Sequence, residues 1–206
     1  MVKVKICGIT NLKDARDALA SGCDALGFVF YRKSPRYIAP FRAKGIIKAL
    51  PESVIKIGVF ADAREKAIKD IAKNCKLDML QFHGRETPEF CARFKKYPVI
   101  KAFRVKDEIN YKDVSRYKTF AYLFDTFVKS KAGGTGKRFD WNLARDAASL
   151  RHPVFISGGL THLNVREAIE SARPDWVDVS TSVEKRPGEK EPGKVKRFLR
   201  AAKGKA

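Results

Sequence analysis

The chain of 206 residues carries 43 Lys and Arg against 23 Asp and Glu, a formal charge of +20, with 44% hydrophobic and 11% aromatic residues. That length predicts one domain over residues 1–206, and that much apolar material is enough to bury a core, which excludes a disordered chain in spite of the charge. No apolar run approaches the ~18 residues of a membrane span, and Lys3 and Lys5 interrupt the N-terminal run where a signal peptide would need its apolar core, so a cytoplasmic protein with no membrane partner is expected.

In chain order, short runs rich in Val, Ile and Phe alternate with amphipathic stretches. The strand candidates are Val2–Cys7, Asp24–Phe30, Val54–Phe60, Asp78–His83, Val99–Val105, Ala121–Thr126, Val154–Gly158 and Trp176–Thr181. Between them, Leu12–Ala20, Arg42–Leu50, Arg64–Asn74, Pro88–Phe94, Trp141–Leu150, Val165–Ala172 and Lys194–Ala202 carry apolar residues at helical spacing, whereas Lys106–Lys118 has only a weak helical pattern. Asn11, Thr87, Asp140 and Asn164 are suited to N-caps, and Pro88 to a first helical position. About eight strands at roughly 25-residue spacing predict an α/β fold, a single-domain (β/α)8 TIM barrel. A doubly wound open sheet shows the same alternation, but it concentrates its binding signals at one switch point, and here they recur after nearly every strand. Cys7, Cys23, Cys75 and Cys91 lie far apart with no zinc-type spacing, so they read as free thiols and no metal is expected.

A barrel gathers its strand C-termini on one face, where barrel enzymes keep their chemistry. The residues predicted there are Cys7-Gly8, Arg36, Gln81 with His83-Gly84, Arg104, Asp125-Thr126, Gly158-Gly159 and Ser180-Thr181-Ser182. Singly, each has a plainer reading: Cys7 as a small core residue, Asp125 as a loop cap, His83 as a satisfied histidine, Gly158-Gly159 as a tight turn. Together on one rim they suggest a site. Gly158-Gly159 and Ser180-Thr181-Ser182, after the last two strands, have the composition of a phosphate cradle, which points to a phosphorylated small molecule. Lys131-Ala-Gly-Gly-Thr-Gly-Lys137 lacks the spacing of a nucleotide P-loop and reads as a mobile loop over the substrate.

Lys5-Ile-Cys-Gly-Ile-Thr10, Gly27-Phe-Val-Phe-Tyr31, Ser34-Pro-Arg-Tyr-Ile38, Leu80-Gln-Phe-His-Gly84, Phe124-Asp-Thr126, Gly133-Gly-Thr-Gly-Lys137, Ser157-Gly-Gly-Leu160, Asp178-Val-Ser180 and Val183-Glu184 with Pro187-Gly188 occur in the order found in phosphoribosylanthranilate isomerases. The chain resembles that family from residue 5 to about residue 199. The resemblance implies a (β/α)8 barrel that performs an Amadori rearrangement in tryptophan biosynthesis without cofactor or metal. By matched position it implies Asp125 as general acid, Cys7 as general base and Arg36 as holder of the substrate's carboxylate. Gln81, His83, Gly134, Gly158, Gly159, Ser180, Thr181 and Ser182 would line the substrate site.

A free thiol near pH 8.5 and a free carboxyl near 3.9 would both have to move toward neutrality to serve, and a cationic rim would lower the thiol. Two positions depart from the family pattern: Arg32 stands where Pro is common, and Ser182 where Gly is usual. Either the Ser182 loop has shifted to suit serine, or a strained serine donates its hydroxyl to phosphate; the second is the expectation. The +20 charge motivates a nucleic-acid-binding alternative, but the basic residues are spread over nearly every predicted helix with no recognised motif, so a solvated basic surface and no nucleic-acid partner are expected. A different sugar-phosphate isomerase on the same barrel would rely on paired carboxylates and not need Cys7. Monomer and homodimer both remain open.

Overall fold

The period-2 alternation of the first strand sets the architecture. β1 (Lys3–Cys7) sends Val4 and Ile6 outward into the layer under the helices and turns Lys5 and Cys7 toward the barrel axis. Residues 1–126 and 140–204 are described in the computed structural model, so the Lys131–Lys137 segment and Gly134 lie outside the described residues. β2 (Ala25–Val29), β3 (Ile55–Phe60), β4 (Met79–Phe82), β5 (Val99–Val105), β6 (Ala121–Thr126), β7 (Val154–Ile156) and β8 (Trp176–Val179) follow in order, each parallel to its neighbour. β8 returns to pair with β1 from Lys3↔Trp176 to Ile6↔Val179, which closes the barrel and excludes the open sheet.

Two apolar layers result. Ala25, Ile57, Ile100, Leu123, Phe155 and Trp176 fill the lower interior, with Phe155 stacked on Trp176 at 4.9 Å. Outside the sheet, Leu26, Phe28, Phe60, Phe82, Phe124 and Val177 meet the helices in a larger core, where Phe82 packs edge-on against Phe94 at 5.0 Å.

The helices are α1 (Leu12–Ala20), α2 (Pro40–Lys48), α3 (Glu65–Asn74), α4 (Pro88–Cys91), α5 (Tyr111–Val114), α6 (Val165–Ala172) and α7 (Pro192–Lys203). Asn11, Thr87 and Asp140 cap as their residue types predict, accepting from the backbone N–H of Asp14, Phe90 and Asn142. Asn164 does not cap; its amide faces the other way, taking the N–H of Thr161 and donating to the carbonyl of Gly159. The fifth connection holds only the single turn α5, and Trp141–Leu150 winds as a 3-10 helix rather than an α-helix. After β8 the chain makes a 3-10 turn, Thr181–Val183, and an antiparallel hairpin, β9 (Glu184–Arg186) and β10 (Glu189–Lys190), absent from the strand pattern because each arm is short and charged. Among the described residues no helix is long and apolar enough to cross a membrane.

The basic residues are not all solvated. Lys5, Lys56, Lys101 and Lys190 are buried, and each faces a carboxylate: Asp178, Asp78, Glu86 and Glu184 respectively.

Candidate active site

At the C-terminal ends of the strands, side chains that leave the barrel interior meet in two groups. The first is built on β4, β6 and the turn after β7. Gln81, pointing inward from β4 and 1% exposed, bonds through its amide nitrogen to His83 Nδ1 at 2.9 Å, and His83 Nε2 lies 3.1 Å from Asp125 Oδ2. Asp125 and His83 are about three-quarters covered, with side-chain exposures of 25% and 22%, so both still reach the mouth. Gly158 closes this side at φ +84°, where a β-carbon would stand 2.7 Å from Asp125 Oδ1 and 2.5 Å from the backbone nitrogen of Thr126. Glycine is therefore required twice over at this position, by conformation and by space.

Beneath this group a buried carboxylate fixes the loops. Glu86 accepts from the backbone N–H of Asp62 and of Gly84, both at 2.9 Å, and from Lys101 Nζ at 2.8 Å, while Lys101 also donates to the carbonyl of Gly84 at 2.7 Å. The pair is 3% exposed on each side, so the turn that carries His83-Gly84 is anchored in a low-dielectric setting by charge-assisted bonds.

The second group is built on β8, β1 and the segment after β2. Cys7 ends β1, and its carbonyl accepts the Ser180 hydroxyl at 3.1 Å. Arg36, 9% exposed, lays one edge of its guanidinium along Glu184, with Nε and Nη2 at 2.8 and 2.7 Å from the two carboxylate oxygens, and Nη2 also reaches Thr181 Oγ1 at 3.1 Å. Lys190 Nζ joins the same carboxylate at 2.9 Å. One buried anion thus stands between two cations. Burial disfavours the Glu184 carboxylate, but the Arg36 hydrogen bonds and the Lys190 charge outweigh it and hold that carboxyl below its ordinary range.

Gly159, also at positive φ, follows Gly158 after β7, and Ser180 leads into the Thr181–Val183 turn after β8, so the two segments expected to cradle phosphate adjoin on neighbouring strand ends. Two expectations change. Ser182 is not held at positive φ, and its hydroxyl donates to the carbonyl of Leu160 at 2.5 Å, so the loop has taken a conformation that suits serine and its hydroxyl ties two loops together. The Cys7 thiol is not lowered: burial pushes it up, against the opposing Lys5 charge. Of the residues that shape the rim, Lys5, Glu86, Lys101, Asp178, Glu184 and Lys190 were not singled out as site residues from the sequence. The Pro187-Gly188 dipeptide, a common turn former, is the local signal that points to the hairpin that brings in Lys190.

A sequence model of the N-(5'-phosphoribosyl)anthranilate (PRA) isomerase family matches residues 4–201. The chain belongs to this family. Among its relatives, the N-(5'-phosphoribosyl)anthranilate isomerase of Geobacter sulfurreducens is 47% identical over 204 residues, covering 99% of this chain and 100% of that protein. The crystal structure of phosphoribosyl anthranilate isomerase from Thermotoga maritima superposes with a TM-score of 0.94 at 44% identity, over 99% of this chain and 100% of that one. A phosphoribosyl anthranilate isomerase crystallised with reduced 1-(o-carboxyphenylamino)-1-deoxyribulose 5-phosphate gives 0.90 at 42%, with coverages of 99% and 100%. The PRA isomerase barrel and the β8-to-β1 closure of this chain are therefore one fold, and its strand-end rim is the face on which barrel enzymes work.

Proposed function

We propose that this chain isomerises N-(5-phosphoribosyl)anthranilate to 1-(2-carboxyphenylamino)-1-deoxyribulose 5-phosphate, the tryptophan-pathway reaction for which its family is named, with Asp125 as acid and Cys7 as base. The observation that carries the assignment of roles is the separation of the rim into two groups: a carboxyl backed by His83 and Gln81, and a thiol beside a cationic wall. Asp125 donates a proton to the furanose ring oxygen as the bond from that oxygen to C1' breaks, leaving an open-chain protonated imine. Cys7 removes the proton on C2', the C–H electrons form the C1'=C2' double bond, and the imine nitrogen is neutralised. The enolamine then gains a proton at C1' and loses one from the C2' hydroxyl to give the ketone. Transfer of the proton on Cys7 back to Asp125 restores the enzyme. No electron acceptor or cofactor enters this balance.

The Gln81–His83 pair follows that proton. With the Gln81 amide nitrogen on Nδ1, His83 carries its proton on Nε2 and donates it to the Asp125 carboxylate; this orientation leaves the buried Gln81 Oε1 without a partner. With the amide turned over, Oε1 accepts from Nδ1–H and Nε2 accepts from a protonated Asp125. Both protonation states of the acid are thus supported by the same three residues. Glu184 aligns Arg36 and occupies one edge of its fork, so the substrate's carboxylate is received at the Nη1 end. The backbone of Gly158, Gly159, Ser180, Thr181 and Ser182 surrounds the phosphate.

The test is direct: phosphoribosylanthranilate made in situ should lose its anthranilate fluorescence when the purified protein is added. Cys7→Ala and Asp125→Asn should each fold and lose about 10²–10⁴-fold in kcat. Absence of turnover by folded wild-type protein refutes the function, and near-full activity of Cys7→Ala refutes the roles.

A further inference from the structure

The interior of a parallel barrel is ordinarily filled by branched apolar side chains. Lys5 breaks that pattern: it is one inward position below Cys7 on β1, and it is fully buried. Its Nζ donates to Asp178 Oδ1 at 2.9 Å, on the adjoining strand β8, and its chain end lies beside the Cys7 sulfur. The space both occupy is left open by Gly27 on β2, which pairs with Cys7 in register. A β-carbon there would stand 2.7 Å from Cys7 Sγ and 3.0 Å from Lys5 Cε. A lysine–aspartate pair buried at this depth contributes little stability beyond what an apolar pair of the same size would. Its value lies instead in where the ammonium is held.

We propose that Lys5, held by Asp178, is the positioning residue that supports negative charge on the Cys7 sulfur, so that the thiol can act as base in a largely desolvated pocket. The inference rests on the reading of Cys7 as base. Three charged groups act on the sulfur: Lys5 from β1, whose chain end lies beside it, Asp178 from β8, which holds Lys5, and Lys190 from the β9–β10 hairpin. Burial drives the thiol upward, Lys5 and Lys190 oppose that, and Asp178 adds to it. Lys5 and Lys190 each hold a carboxylate at 2.9 Å, Asp178 and Glu184, and Lys5, on the same strand as Cys7 and beside its sulfur, is the cation that acts on the thiol more strongly. Asp178 then has two effects on the sulfur: it fixes the ammonium in place, and its own charge disfavours the thiolate.

Opposite signs follow for two substitutions. The ionisation of Cys7 is read from thiolate ultraviolet absorbance, as the difference from the Cys7→Ala protein, between about pH 6 and about pH 11. Lys5→Met is expected to move the Cys7 midpoint up by about one pH unit or more, a roughly tenfold smaller thiolate fraction at a given pH, and to move the rising limb of kcat/KM with it. Asp178→Asn keeps a carbonyl oxygen for Lys5 and is expected to move the midpoint down. A packing role for the pair would lower stability and leave the thiol where it was. If Lys5→Met does not fold, the sign of the Asp178→Asn shift decides. A Cys7 midpoint unchanged in either folded variant overturns the proposal, whereas full turnover by Cys7→Ala would overturn the base assignment and leave any measured shifts standing.

Discussion

At the scale of single residues, the rim is decided by small differences in side-chain size. Gly158→Ala places a β-carbon at positive φ, a strain of about 1–2 kcal/mol, and drives it into the Asp125 carboxylate and Thr126. The variant should therefore lose kcat by a larger factor than its drop in stability explains; equal kcat in wild type and Gly158→Ala would show that the acid tolerates displacement. Ser182 behaves differently. Because its hydroxyl bonds to Leu160, Ser182→Ala should lose about 0.5–1.5 kcal/mol in urea unfolding while binding inorganic phosphate as tightly as the wild type. Calorimetry showing weaker phosphate binding at unchanged stability would return the hydroxyl to the anion.

At the scale of elements, the loops after β3 and β4 are joined through one carboxylate. Glu86→Leu leaves buried Lys101 unpaired and two backbone donors, on Asp62 and Gly84, without their acceptor, so a loss of about 3–5 kcal/mol is expected. Lys101→Met should cost clearly less, since Glu86 keeps both backbone donors. The loop carrying His83 loosens in both, so kcat should fall in the same order. Urea titrations and steady-state kinetics on the two variants check this, and an equal loss from both would mean that the ion pair, not the backbone donors, dominates.

For the whole molecule, the +20 charge sets the direction of the response to acid. Protonating carboxylates raises a charge that is already positive, and self-repulsion grows. Glu184 adds a specific term with a definite sign. Its carboxyl is held below the ordinary value of 4.5 in the folded protein, so its contribution is fully present above that value and is lost as the pH falls through the folded-state value beneath it. Glu184→Gln should be less stable than wild type at neutral pH and should lose stability less steeply below about pH 4.5. Parallel slopes for the two proteins in urea unfolding from pH 7 to pH 3 would show that Glu184 is not linked to acid unfolding.

The alternation of apolar runs and amphipathic stretches determined the order of strands and helices from sequence alone, because strand and helix periods are local properties of the chain, and the recurrence of binding signals after nearly every strand favoured a barrel over an open sheet. Caps at Asn11, Thr87 and Asp140 were legible for the same reason, and so was the gathering of Cys7, Asp125 and the glycine pair at strand ends, once the barrel was assumed. The role of Asn164 was not, since its amide answers to the turn after β7 rather than to its own helix. The partners of the charged residues were illegible too: Lys5 meets Asp178 from 173 residues away, and Arg36 meets Glu184 from 148. Composition read such lysines as solvated surface. Only closure of β8 onto β1 brings those carboxylates to them, and inside the barrel Lys5 then becomes the strongest charge opposing burial at the Cys7 thiol, while Glu184 aligns the Arg36 fork.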